Sequence, residues 1–456
     1  MATLLVPTDH LTIADALAAA NPGDTIIVEA AFATAEAATV TVSSITIQGD
    51  TAQAGIQLTL GVGAQDITLT GTTAFQIIDN SSNNQITGAD TSDSAVTLTG
   101  GNDTVTMGDD AGDFDDLAID WSASTVAITG SYADGAGTLS SSTTYGATFS
   151  GAERVILTTG SGNDAIVTGE GDDSVSTGDG NDTVTVTSGL DSLDLGEEVG
   201  DDDVVIINWG LTTGAVFGDL SAGLLTGVEP GYGLSVTGAE RFSVTTGAEN
   251  DSITTGDGND SLFSGDGGDT LEAGEGNNQI DAGSGANSII GGSGDDTITS
   301  GNGNDTIVAG DGSNVINAGG GHDSITSGSG DDVIDAGIGS NTVASGAGSD
   351  TVTVASGVSS VTMGQNGTDD HDRLVIDWSA TTGNVSGGYT SYNTTQIENE
   401  GYGTLGNSEG GFQTGFTGVE HFSITTGTGD DSFGTGDGDD SIVSGDGDDA
   451  VNVRTG

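Results

Sequence analysis

The 456-residue sequence contains no cysteine and no lysine, and its four basic residues are the arginines Arg154, Arg241, Arg373 and Arg454. Without cysteine there is no disulfide framework, the usual staple of a small extracellular domain. With so few cations there is little to neutralise phosphates, which excludes nucleic acid as a partner. No apolar run approaches the roughly 18 residues of a membrane span, so no membrane insertion is expected. The opening stretch MATLLVPTDHLTIADALAAA lacks a basic start and is interrupted by Asp9, His10 and Asp15, so it does not read as a secretory signal peptide. Only 3 prolines stand beside 33% hydrophobic residues, which is not a linker's composition.

What the chain does have is 80 glycines and 69 acidic residues, for a net charge of −65. Such a chain repels itself and resists compaction. Something other than disulfides must offset that charge.

Internal repeats decide the fold class. From Gly247 to Val354 run twelve unbroken nonapeptides of the type GDGNDSLFS, with three more from Gly160 to Val186 and three from Gly427 to Val453. Position seven is Ile, Val, Leu or Phe in all eighteen, and position five is Asp in fourteen and Asn in four. Glycine at positions one and three permits a tight turn with positive φ. Positions six to eight predict a very short strand with its middle residue inward. One inward residue per strand makes no core alone, but stacked turns do. Two nonapeptides per coil predict that residues eighteen apart share an edge. In the long block one edge then reads Asp251, Asp269, Asn287, Asp305, Asp323, Asn341 and the other Asp260, Asn278, Asp296, Asn314, Asp332, Asp350. Neighbouring strands lie only about 4.8 Å apart, so carboxylates stacked at that spacing repel strongly. With the turn carbonyls they offer hard oxygen ligands suited to Ca²⁺, and an ion between turns would convert repulsion into bonding.

The repeats resemble the hemolysin-type (RTX) calcium-binding β-roll, whose consensus is G-G-x-G-x-D-x-U-x; the first consensus glycine is here usually Ser, Thr or Ala. The resemblance implies multiple Ca²⁺ ions. Their ligands would be Asp164, Asp173, Asp182, Asp251, Asp260, Asp269, Asn278, Asn287, Asp296, Asp305, Asn314, Asp323, Asp332, Asn341, Asp350, Asp431, Asp440 and Asp449. The Asn positions can ligate through a neutral carbonyl only, which predicts weaker sites. A metal-free Asn/Asp ladder is the alternative reading. The resemblance also implies type I secretion, with the chain folding on meeting extracellular calcium.

Three related segments separate the blocks. They contain DDLAIDW, DDVVIINW and DRLVIDW, ending in Trp121, Trp209 and Trp378, and they close with GAERVILTTG, GAERFSVTTG and GVEHFSITTG. Alternating apolar residues predict half-buried strands. Each segment reads as wider coils carrying a long hairpin loop, the longest spanning about 383–415 with Tyr389, Tyr392 and Tyr402. The tryptophans read as core plugs where the roll widens, in preference to sugar-stacking platforms. Glu153–Arg154, Glu240–Arg241 and Glu420–His421 share one register and read as an outward-facing strand pair, because a catalytic pair is not normally copied three times.

The first hundred residues predict an amphipathic helix (Leu11, Ala14, Leu17, Ala18) and then evenly spaced strands. They look like the start of polysaccharide-active right-handed parallel β-helix proteins, in which a short helix caps the open end. In GGNDTV, Asp103 is a further candidate ligand. The expected fold class is all-β: a right-handed parallel β-solenoid, a β-helix start continuing into a β-roll, with hairpin insertions. The expected organisation is 1–100 cap and β-helix coils, 101–159 insertion module 1, 160–186 roll block 1, 187–246 module 2, 247–354 roll block 2, 355–426 module 3 and 427–456 roll block 3, with strand pairing continuous throughout.

For function, a β-helix lyase or epimerase would need catalytic groups on one face. Lysine is absent, the four histidines (His10, His322, His371, His421) are scattered, and no H-E-x-x-H, G-x-S-x-G or P-loop motif occurs. An ice-binding face would need a threonine column at position two, which holds Thr only at Thr428. The expectation is therefore a non-enzymatic, secreted, calcium-stabilised structural protein at the cell surface or beyond. It would assemble with itself in a surface layer, matrix or filament, with cell-surface polysaccharide as a further partner. A calcium-rigidified adhesin stalk is the second reading. The sequence stops in mid-pattern, so the last coil is expected either to continue in a longer chain or to offer a docking edge.

Overall fold

A computed structural model describes residues 1–29, 36–49, 56–62, 64–88, 93–108, 114–364, 371–391, 401–408, 410–436 and 438–453. Tyr392, the centre of the longest loop, the side chain of Tyr389 and Arg454 lie outside the described residues. By its contacts the chain divides into two units, Met1–Asn208 with Pro230–Glu240, and Trp209–Glu229 with Arg241–Gly456. Each is a parallel β-solenoid on two sheets.

In the first unit one sheet stacks Thr3–Val6, Thr25–Val28, Ile45–Gly49, Asp66–Gly71, Gln85–Thr87 and Gly101–Thr106 in parallel. The other begins with Glu36–Val40, Ile56–Leu60, Phe75–Ile78, Ala95–Leu98 and Asp116–Asp120. Strict alternation puts Ile45 and Ile47, or Ile56, Leu58 and Leu60, into the core. The one α-helix among the described residues, Ile13–Ala19, is capped by the Thr12 side chain, which accepts from the Asp15 N–H at 3.0 Å. Its buried face is Ile13, Ala16 and Leu17, whereas Leu11 and Ala14 are exposed. The expected face was therefore misplaced: the cap at Thr12 leaves Leu11 outside the helix, and Glu36 holds the Ile13 and Ala14 N–H groups at 3.0 and 2.9 Å.

The second unit shows the repeat most plainly. Ser252, Thr270, Ser288, Thr306, Ser324 and Thr342 pair in sequence on one sheet, and Ser261, Gln279, Thr297, Val315, Val333 and Thr351 on the other. Every step is eighteen residues, so two nonapeptides make one coil. Position seven forms two buried columns, Ile253–Leu271–Ile289–Ile307–Ile325–Val343 and Leu262–Ile280–Ile298–Ile316–Ile334–Val352. The sheets are unequal. One keeps three-residue strands such as Gln279–Asp281, while the other runs for six, as in Thr306–Asp311, because backbone pairing continues through Gly274, Gly292 and Gly310.

The insertions differ from simple loops. Ile128–Ala133, Ala136–Ser141 and Tyr145–Ser150 form an antiparallel meander whose outer strands each pair in parallel with a solenoid strand, Ala165–Val167 and Gly101–Thr106. In the second unit Val385–Ser391, Gly401–Asn407 and Phe412–Val419 repeat the scheme, with Phe412–Val419 joined in parallel to Gly357–Met363. The hairpin strands are thus part of the sheets. Trp121, Trp209 and Trp378 are each 1% exposed, which fits core plugs and removes the faces a sugar would stack on. Trp121 and Trp378 sit where five-residue strands (Arg154–Thr158, His421–Thr425) give way to three-residue ones (Ser174–Ser176, Ser441–Val443).

Candidate metal centres in the position-five ladders

Position five turns its side chain inward at the corner between turn and strand. In the long block every position-five residue is buried. Its Oδ1 accepts the backbone N–H of the position-five residue eighteen earlier. On one edge the bonds run Asp251 N to Asp269 at 2.8 Å, Asp269 N to Asn287 at 2.9 Å, Asn287 N to Asp305 at 2.8 Å, Asp305 N to Asp323 at 3.0 Å and Asp323 N to Asn341 at 2.9 Å. On the other, Asp260, Asn278, Asp296, Asn314, Asp332 and Asp350 follow the same rule at 2.8–3.0 Å. The two expected edges are therefore two hydrogen-bonded ladders. Asp164–Asp182 and Asp431–Asp449 add steps of the same kind, while Asp173 and Asp440 accept from Val155 and Phe422. Asp440 and Asp449 are only half-buried.

The second carboxylate oxygen sets the chemistry. Oδ2 is buried without a hydrogen-bond partner in Asp173, Asp182, Asp260, Asp269, Asp296, Asp305, Asp323, Asp332, Asp431 and Asp440. At Asp164 and Asp251 it accepts from the Thr159 and Thr246 hydroxyls. Those threonines occupy position nine, the small buried residue before each turn. At Thr255, Ser264 and Ser300 the same hydroxyl donates to the carbonyl eighteen residues on, at 3.0, 3.2 and 3.0 Å.

An unpaired ionised oxygen in a buried site is costly, and protonation is one response. Burial pushes Asp173, Asp182 and Asp296 up to about 6, against backbone N–H donors and the neighbouring Tyr132, Thr177 and Asn278 side chains, which pull them down. Asp164, Asp251, Asp260, Asp269, Asp323 and Asp332 are raised for the same leading reason.

Sequence reading missed part of the ladder. Asp191 and Asp203 accept the Asp173 and Asp182 N–H groups at 3.0 and 2.7 Å, and Asp372 accepts that of Asp350 at 2.8 Å. Burial raises Asp191 to about 8 and Asp203 to about 7. Asp103, named above as a further candidate, takes the Asn84 N–H at 2.8 Å, its Oδ2 is unpartnered, and burial raises it to about 7. Glu153, Glu240 and Glu420 accept the N–H groups of Asp115, Asp203 and Asp372 at 2.6, 2.8 and 3.0 Å. These glutamates continue the ladder from outside the core, since Glu240 is exposed and Glu153 and Glu420 are half-buried. Their extra methylene lets them reach the same N–H from a wider coil. The available signal was an acid two residues before an inward apolar residue, as in Asp203–Val205 or Glu240–Phe242.

Among the described residues, no three His, Cys, Asp or Glu side chains converge on one point. A cation here would rest on one or two carboxylates and on backbone carbonyls. The residues fit that role: the free oxygens are hard, buried and stacked one coil apart, as at Asp305–Asp323. Bound Ca²⁺ would supply the positive charge that those oxygens lack and join adjacent coils. His322 and His421 do other work, since their Nδ1 atoms accept the Ser340 and Asp439 N–H groups at 2.9 and 3.0 Å in a second, outer ladder at position four.

The RTX calcium-binding nonapeptide repeat (4 copies) family matches residues 157–193, 243–271, 263–298, 272–307, 299–334, 317–352 and 423–453. The chain therefore carries RTX calcium-binding nonapeptide repeats across all three blocks, in a β-roll. No curated protein matches the chain.

Proposed function

We propose that this is a secreted, non-enzymatic structural protein that folds on binding Ca²⁺ outside the cell and assembles with itself into a surface layer, matrix or filament. The observation that carries the reading is the buried carboxylate ladder, whose unpartnered oxygens offer a divalent cation hard ligands and whose stacking would make each ion a link between coils. Secretion is typical of RTX-repeat proteins, and low cytosolic calcium would keep the self-repelling chain loose before export. A structural role is supported by what the titratable groups do: glutamates of the repeated GAER and GVEH segments bind backbone, and the same carboxylate site recurs coil after coil.

Self-association is supported by apolar residues exposed on and beside the inserted strands. In the second unit Leu211, Phe217, Leu224, Val228 and Val358 are 92%, 47%, 58%, 67% and 50% exposed, and Tyr402 is 42% exposed. Exposed apolar groups of this kind mark interaction surfaces when they gather in patches. Light scattering and electron microscopy across 0–10 mM Ca²⁺ test assembly. Ordered sheets or filaments that dissolve in chelator are expected. A particle that stays monomeric at high protein concentration would favour the adhesin-stalk reading instead.

A further inference from the structure

The four asparagines solve the position-five problem differently from the aspartates. At Asn278 the amide Nδ2 donates to the carbonyls of Gly276 at 3.1 Å and Gly274 at 3.5 Å, positions three and one of its own turn. At Asn314 it donates to Gly312 and Gly310 at 3.1 and 3.3 Å. Asn287 donates to Ser300 O at 3.2 Å, and Asn341 to Ala336 O. Their Oδ1 atoms are already engaged, accepting backbone N–H groups at 2.9–3.0 Å. An Asn therefore aims a donor at carbonyl oxygens where an Asp aims a second acceptor. Two facing acceptors repel and need a proton or a cation between them, whereas a donor facing an acceptor needs neither.

The sequence follows the same division. All four Asn turns are preceded at position nine by alanine, while twelve of the fourteen Asp turns are preceded by Ser or Thr. The hydroxyl accompanies the Asp turns, where at Asp164 and Asp251 it bonds the second oxygen, and the Asn turns have none.

We infer that the Asn278, Asn287, Asn314 and Asn341 turns take no cation: the side-chain amide stands where Asp turns hold calcium, and these rungs are locked without metal. The inference rests on the calcium reading of the Asp turns and replaces the expectation of weak Asn sites. In the long block the metal-free rungs are spread along both ladders, so some inter-coil bonding there is independent of calcium.

Ions bound per chain, counted by elemental analysis after dialysis against saturating Ca²⁺, test this. Asn314→Ala should leave the count unchanged, and Asn278→Asp, which is nearly isosteric, should raise it by one. A count lowered by one in Asn314→Ala, or unchanged in Asn278→Asp, would overturn the inference. So would an Asn278→Asp chain that stays unfolded at any calcium concentration, because the cation would then be unable to replace the amide. If Asn314→Ala does not fold, Asn278→Asp alone decides. A wild-type chain that binds no calcium would instead overturn the calcium reading itself, and the inference with it.

Discussion

Stripped of calcium by dialysis, the chain is expected to be disordered at pH 7.5 and to gain β-structure as the pH is lowered to about 5. The cause is the raised acidity range of the ladder. Burial holds Asp191 near 8, Asp103 and Asp203 near 7, and Asp173, Asp182 and Asp296 near 6, against an ordinary value of 3.8. A carboxyl whose folded value is raised binds more protons folded than unfolded, so stability grows as pH falls. The contribution is complete below 3.8 and is lost as pH rises through about 6 to 8. Protons thus replace the cation at the unpartnered oxygens, and falling net charge adds to the effect. With calcium present the sign for the metal is opposite: protons compete for the same oxygens, so bound calcium should fall over the same interval. Far-UV circular dichroism from pH 8 to 4 reads the first effect and ion counting the second. A metal-free spectrum that stays disordered down to pH 4.5 would remove the proton-for-cation exchange.

A second large effect is expected from one methyl group. Gly303 has φ +156°, and a Cβ there would lie 1.5 Å from the carbonyl oxygen of Gly285 in the adjacent coil. Neither atom can yield, because both belong to backbone fixed by the stacking distance. Gly320 has no left-handed φ, and its Cβ would meet only side-chain atoms, Asn302 Oδ1 and Ile338 Cγ1, at 3.2 Å. Backbone strain alone costs about 1–3 kcal/mol at such positions, and the clash adds to it. Gly303→Ala should therefore abolish folding at calcium concentrations that fold the wild type, or raise the calcium midpoint severalfold. Gly320→Ala should stay within about 0.5 kcal/mol of wild type, as surface changes usually do. Equal effects in calcium titrations would show that coil-to-coil backbone contact is not what demands glycine at position three.

The parts of the fold that repeat were legible, because eighteen copies average away local accidents. Position seven as the core column, the eighteen-residue step and the two edges all follow from spacing, as Ile307 and Asp305 illustrate. What stayed hidden depends on contact between coils. Position nine looked like a degenerate glycine, yet Thr255, Ser264 and Ser300 form a buried hydroxyl ladder that only stacking creates. Asp191, Asp203 and Asp372 lie outside the nonapeptides, so their membership of the ladders shows only once the coils are in register. Asn and Asp share a shape, and only the carbonyls facing Asn278 reveal that one of them brings a donor. The hairpins were read as loops because alternation marks a strand without naming its partner; Phe412–Val419 finds one in Gly357–Met363.

If cations at the ladder hold the coils together, folding and calcium binding must go hand in hand. Calcium is titrated into the stripped chain at pH 7.5, with far-UV circular dichroism and bound-ion count taken on the same samples. β-Signal and bound calcium should rise together and steeply, with a midpoint on the order of 10⁻⁴–10⁻³ M as in extracellular calcium modules. A full β-spectrum at that pH with no calcium bound would contradict it, and would leave a hydrogen-bonded Asx ladder that needs no metal.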